Sequence, residues 1–162
     1  MTNTVRDFSI SVRATVSYQR ALAKLREALK RHGFETLCEF PLDRELERKV
    51  GLHPKHCTVF VVWSPFHAYA AVLSDRDGGL LVPFNLCVAR DGSSTFIAVM
   101  NHGALSPNGA PLGLQMLVRL LTDKIHEVLV EAAMPEAPGQ YRQARVTDAA
   151  AESRERFQAR RL

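Results

Sequence analysis

The sequence predicts an α+β fold: a single mixed or antiparallel sheet in the order strand–helix–four strands–helix, with two long helices packed on one face. Three observations predict it. Residues 78–100, GGLLVPFNLCVARDGSSTFIAVM, read as two apolar strands joined by a short turn. Upstream, CTVFVVW at Cys57–Trp63 is a continuous apolar run that suits a central strand. Apolar stripes at helical spacing then flank this strand-rich middle: Ala21, Leu22, Leu25, Ala28 and Leu29 before it, and Leu114, Leu117, Leu121, Ile125 and Val128 after it.

Each element has a local cause. Phe8, Ile10 and Val12 alternate with polar neighbours, a period of two that marks a half-buried strand. Ser17 stands where a helix N-cap belongs, and Gly33 supplies the left-handed stop. Lys24, Arg26, Lys30 and Arg31 fall largely off the first apolar stripe. Residues 34–40 have a strand-like mix ended by Pro41, and residues 43–50 form a short charged helix stopped by Gly51. A loop, LHPKH, leads into Cys57–Trp63. Pro65 fits the first turn of a short helix capped by Ser64 and carrying Phe66, Tyr69, Ala70 and Leu73. Residues 80–89 and 95–100 pair as a hairpin through a Gly-containing loop, and Pro83 implies a bulge or an edge position in the first of them. After a polar, turn-rich stretch at 103–110, Pro111 opens the last helix, which runs to about Ala133; Met116, Leu120 and Leu129 broaden its stripe.

Length and charge narrow the function classes. At 162 residues the chain is long enough for one domain with a sizeable core, and 46% hydrophobic against 23% charged residues is ordinary for a globular protein. No apolar run approaches the roughly 20 residues of a membrane span, and MTNTVRDFSISV lacks the basic-then-apolar pattern of a secretory signal. The expected location is cytoplasmic. Cys38, Cys57 and Cys87 are odd in number and set among apolar neighbours, which favours reduced core thiols over a disulfide. The net charge of +4 is concentrated at one end: residues 141–162 carry six arginines against Asp148, Glu152 and Glu155, leaving the body nearly neutral. A neutral body argues against nucleic-acid binding. We therefore divide the chain into a domain at 1–134 and a basic, Arg-rich tail at 135–162, helical or disordered.

One ordered set of features resembles a known family. Gly33-Phe34 and Glu39, the acidic helix from Asp43 to Gly51, the strand Thr58 to Trp63, Ser64-Pro65 with Ala68, and Gly79-Leu80-Leu81-Val82-Pro83-Phe84-Asn85-Leu86 together resemble the domain-of-unknown-function 302 family over about residues 5–130. The resemblance implies a compact domain that tends to dimerise and has no settled activity. It also carries departures. Many members of that family have Cys at the positions of Trp63 and Phe84, and Asn at Ser64. Large aromatics at both sulfur positions mean that a thiol-based redox or soft-metal role there does not transfer.

The candidate site residues are Trp63, Ser64, His67, Phe84 and His102. His67 falls in the first turn of the helix after Ser64, where the field of a helix N-terminus disfavours the protonated imidazole and the free N–H groups offer an anion seat. With Trp63 and Phe84 expected to share a hollow beside it, His67 suits a planar ligand or the iron of a haem. His102, where the last strand ends, is the second candidate for an iron ligand or acid/base group. The H-x-x-H-C spacing of His53, His56 and Cys57 is a weak metal pattern, because adjacent residues of an extended segment point to opposite faces. Glu39 and Asp43 straddle Pro41 with nothing to enforce an acid/base pair, and no phosphate loop, G-x-S-x-G or H-E-x-x-H motif is present. His32 and His126 fall on helices and carry no functional expectation.

Three readings follow: a dimeric domain holding a small, partly apolar ligand between sheet and helices; a haem protein with a His67 or His102 axial ligand; and an interaction module docking an acidic partner through its arginine-rich tail. Dimerisation is also expected because the last helix has an apolar stripe wider than one sheet face demands.

Overall fold

The computed structural model describes residues 3–5, 8–105 and 110–135. In chain order these form β1 (Asn3–Val5), β2 (Ser9–Ala14), α1 (Tyr18–Arg31), β3 (Glu35–Pro41), α2 (Leu42–Val50), β4 (Cys57–Trp63), α3 (Pro65–Ser74), β5 (Phe84–Asp91), β6 (Ser94–Met100), α4 (His102–Leu105) and α5 (Leu112–Ala133), with a 3₁₀ turn at Gly78–Leu81. The strands make one sheet in the order β1-β2-β6-β5-β4-β3, and every neighbouring pair is antiparallel. The α+β class holds, and the sheet is antiparallel throughout. Its sixth strand, β1, is three residues at the edge, too short to display a period in the sequence.

Helices α1 and α5 lie together on one face. Beneath them sit Ile10 and Val12 of β2, Phe60 and Val62 of β4, Leu86 and Val88 of β5, and Ile97 and Val99 of β6, closed over by Leu25 and Leu29 of α1 and Leu121, Ile125, Val128 and Leu129 of α5. The alternate residues, Val59, Val61 and Trp63 with Cys87, Ala89, Phe96 and Ala98, are only half-buried, because the pleat turns them to the other face.

The ends of the helices are tied down by polar groups. Gly33 adopts φ 76°, its N–H reaches the Lys30 carbonyl, and the Phe34 N–H reaches the Leu29 carbonyl at 2.9 Å. This doubly bonded stop turns the chain back and buries Phe34 under α1. His32 Nε2 pairs with Glu131 Oε2 at 2.8 Å and Arg31 pairs with the same carboxylate, joining the end of α1 to α5. The Thr15 N–H and hydroxyl both donate to the Ala133 carbonyl, fixing the end of α5 to the sheet.

Several expectations change. The strand expected from residue 80 begins at Phe84, with the 3₁₀ turn before it. β5 is paired on both sides, and Pro83 has no N–H to give a ladder, so the strand starts after it. The bulge lies instead in β3, between Thr36 and Cys38. A Cβ on Gly78 would stand 2.0 Å from the Ala71 carbonyl oxygen, so this turn packs on α3 only with glycine. Lys24 is buried along with the stripe rather than off it; its four-carbon stem can cover apolar surface. The polar stretch after Met100 opens with the short helix α4. The Arg-rich tail from residue 136 lies outside the described residues. No helix among the described residues is long and apolar enough to cross a membrane.

Candidate functional site

The site forms where β4 runs into α3. Pro65 takes the first helical position, and Ser64, extended and buried, stands at the N-cap. Its carbonyl accepts from the Ala68 N–H at 2.9 Å, but its hydroxyl makes no capping bond. The position was legible; the side-chain cap is absent.

His67, in the first turn of α3, reaches the aromatic cluster under the helices. Its ring stacks on Phe34 with centroids 5.7 Å apart and planes 15° from parallel, and the Phe66 ring meets it edge-on at 5.5 Å. Phe34 meets Phe84 edge-to-face at 5.7 Å, and Phe84 meets His102 the same way at 5.7 Å. The order His67–Phe34–Phe84–His102 therefore joins α3, the end of α1, the start of β5 and α4 into one aromatic path.

The two imidazoles share an electrostatic condition. Burial pushes the His67 pKa down, and the Lys124 ammonium of α5 adds to the effect. Burial likewise lowers His102, against a weaker opposing hydrogen bond to the Met100 carbonyl. Both are held toward the neutral form, able to bind through a nitrogen lone pair or to donate through the other nitrogen. They differ in partnership: the Nδ1 atom of His67 is buried with no hydrogen-bond partner among the described residues. An unpartnered buried polar atom costs about 1–3 kcal/mol, so its presence marks a place where a bound group has something to satisfy.

Trp63 is not part of this path. Val62 stands opposite Phe84 in the β4–β5 register, so Phe84 faces the helices while Trp63 faces away from them. Trp63 Nε1 donates instead to Glu35 Oε2 at 3.0 Å. The hollow expected to hold both large rings does not exist; Phe34 occupies the place expected of Trp63. The signal for Phe34 was present in Gly33, since the residue after such a helix stop characteristically packs back onto the last turn.

The weaker patterns separate. His53 pairs with Glu47, and His56 with Asp43 at 3.0 Å while stacking on Tyr18. Cys57 contacts Cys87. No group of three or more His, Cys, Asp or Glu positioned for a metal ion occurs among the described residues. Glu39 is held by both guanidinium arms of Arg26 at 2.7 Å and Asp43 by His56, so the two carboxylates serve different partners. The cysteines are not core thiols: Cys38 is exposed, and Cys57 and Cys87 are half-buried on the sheet face away from α1 and α5.

Comparison with known proteins places this geometry. A family model described as "Domain of unknown function DUF302" matches residues 10–132. The structure is similar to the crystal structure of an uncharacterized conserved protein DUF302 from Bacillus stearothermophilus, with a TM-score of 0.72 and 21% identity, covering 77% of this chain and 98% of that one. At that identity the likeness speaks for the fold. No curated protein matches the chain significantly. With the family model spanning most of the sheet and both long helices, the chain belongs to the DUF302 family.

Proposed function

We propose that this chain is a homodimeric, cytoplasmic binding domain that holds a small, flat, partly apolar ligand at His67, Phe84 and His102, with Phe34 and the buried Ser64 completing the wall. The observation that carries this reading is the buried Nδ1 of His67, which has no hydrogen-bond partner among the described residues and lies between the rings of Phe34 and Phe66. A ligand with an aromatic body and one polar edge group would stack on the rings and supply the missing hydrogen bond. Trp63, on the far face, has no part in it.

A second copy of the chain is the expected partner. Phe66, Tyr69 and Leu73 on α3 and Leu112, Met116 and Leu120 on α5 are all exposed, on two helices that pack together. A second copy laid over these side chains would take their apolar surface out of water and would also cover Phe66, whose ring packs edge-on against His67.

Native mass spectrometry and an absorbance spectrum of the purified full chain test both parts. Dimer mass with a bound small molecule that is lost in His67→Ala supports the reading. A monomer at micromolar concentration overturns the dimer, and a chain that carries nothing and whose His67→Ala variant behaves identically toward aromatic probes overturns the site. Haem is the specific alternative, favoured by two neutral imidazoles next to aromatic rings. A Soret band on adding haemin that disappears in His67→Ala or His102→Ala selects it; protein that ignores haemin removes it. Docking of an acidic partner through residues 141–162 is separated by deleting them, since unchanged partner capture ends that idea.

A further inference from the structure

The sheet face away from α1 and α5 brings two thiols together that neither the spacing of the cysteines nor the aromatic site accounts for. Cys57 opens β4, and Cys87 lies near the middle of β5; their Sγ atoms are 3.3 Å apart. The register explains the meeting: Val59 stands opposite Cys87 and Ala89 opposite Cys57, so the cysteines are diagonal neighbours on the same face of adjacent strands. Both are half-buried, so solvent reaches this face while the sheet holds each side chain in place. The third cysteine, Cys38, is exposed on β3, in register with Val61 and away from this contact.

We propose that Cys57 and Cys87 form a two-thiol redox site on the open face of the sheet, closing to an intramolecular disulfide on reaction with a peroxide and reopening with a small thiol reductant. The distance favours the closed form: the sulfurs need to approach by only about 1.3 Å to reach the usual 2.05 Å bond length, a motion within reach of side-chain rotation and slight strand shift. Diagonal neighbours on adjacent strands stand about 7–8 Å apart against the roughly 4.4–6.8 Å that a disulfide usually spans, so closure draws β4 and β5 slightly together at this point.

The two sulfurs have separate tasks. Burial first, and then the contact with Cys57, push the Cys87 thiol up to about 12, so Cys87 keeps its proton in the reduced protein. Cys57 opens β4 directly after the exposed loop at residues 52–56, where a peroxide can reach it, and it is assigned the first attack. Its thiolate takes one oxygen of hydrogen peroxide, the O–O bond breaks, and the hydroxide leaving group is protonated to water. Cys57 is then a sulfenic acid. The Cys87 sulfur attacks the Cys57 sulfur, the S–O bond breaks, and the departing hydroxide leaves as water with the Cys87 proton. Two thiols and one peroxide thus give one disulfide and two waters.

The test uses the full chain with Cys38→Ser, reduced and freed of reductant, titrated with hydrogen peroxide, alkylated and analysed by intact mass and peptide mapping. The expected product is monomeric on a denaturing non-reducing gel, is lighter by two hydrogens, loses both alkylation sites together, contains a peptide pair linked between positions 57 and 87, and recovers both thiols on reduction. Cys87→Ser in the same background should stop at a Cys57 sulfenic acid trapped by dimedone. Two free thiols surviving stoichiometric peroxide, linkage only between molecules, or dimedone on Cys87 in the Cys57→Ser chain but not on Cys57 in the Cys87→Ser chain would overturn the assignment. The site lies on the opposite side of the sheet from α5 and the His67 cluster, so these outcomes do not depend on the ligand or dimer reading.

Discussion

The two faces of this sheet are built from the same strands and much the same residue types, yet they have become different materials. Val61 and Val62 are neighbours in β4: Val62 is fully buried under the helices, and Val61, one pleat over, is half-exposed. The face beneath α1 and α5 is a packed core that holds two neutral imidazoles. The opposite face carries a tryptophan bonded to a carboxylate and a pair of thiols in contact. What separates them is cover, not composition. A strand with apolar residues on both sides, such as CTVFVVW, takes the properties of each side from what lies above it.

That contrast has a stability consequence, and the largest effect belongs to the covered face. Phe60 is among the bulkiest fully buried side chains. Phe60→Ala should cost about 3–5 kcal/mol, measured as a shift in the urea midpoint. The sharper comparison is between the adjacent valines: Val62→Ala should cost about 2 kcal/mol and Val61→Ala less than about 1 kcal/mol. Equal losses at the two valines would mean that something covers the open face in solution, and the two faces would then be alike.

Between pH 7.5 and pH 5, above the range in which the carboxylates titrate, the imidazoles with lowered pKa values are those of the covered face. His67 and His102 have pKa values lowered by burial, so below about pH 6.5 the unfolded chain takes up protons that the folded chain resists. Their contribution to stability is complete above the unfolded value and falls as the pH drops toward the folded values, levelling off once both states are protonated. Unfolding midpoints measured from pH 7.5 to pH 5 should therefore decline. The decline should be shallower in His67→Leu and also in Lys124→Met, which removes the ammonium that adds to the His67 shift. A profile unchanged by either substitution would place the acid sensitivity elsewhere.

The sequence carried the architecture well because its evidence is periodic. Helix stripes, the Gly33 and Gly51 stops and the run at β4 each depend on local spacing, and each element appeared where that spacing put it. The site was harder because it depends on parity across strands. Trp63 and Phe84 both end or begin strands near α3, and only the register of Val62 against Phe84 reveals that they face opposite ways. The same register, invisible in a single sequence, brings Cys57 to Cys87 across a separation of 30 residues. His67 and His102 were legible as residues at element ends, and the Gly33 stop signalled that Phe34 packs back on α1; that its ring joins His67 to Phe84 depends on how α3 and β5 meet, which no local spacing encodes. β1 was missed because three residues cannot display a period.

The smallest effect should come from the open face. Trp63 is the chain's single tryptophan and donates to Glu35 across the exposed end of the β3–β4 pair. Trp63→Phe keeps a ring on that surface and removes one solvent-accessible hydrogen bond, which is worth about 1 kcal/mol or less. Followed by circular dichroism, its urea midpoint should lie close to that of the parent chain, and its response to haemin or an aromatic probe should be unchanged, because its ring faces away from His67. The Glu35→Gln chain, which keeps the tryptophan, should report the same site by a change in fluorescence emission with little change in stability. A loss at Trp63→Phe approaching that of Phe60→Ala would place the ring under a partner, and the open face would then have to be counted as a second interface rather than as the solvent side of the sheet.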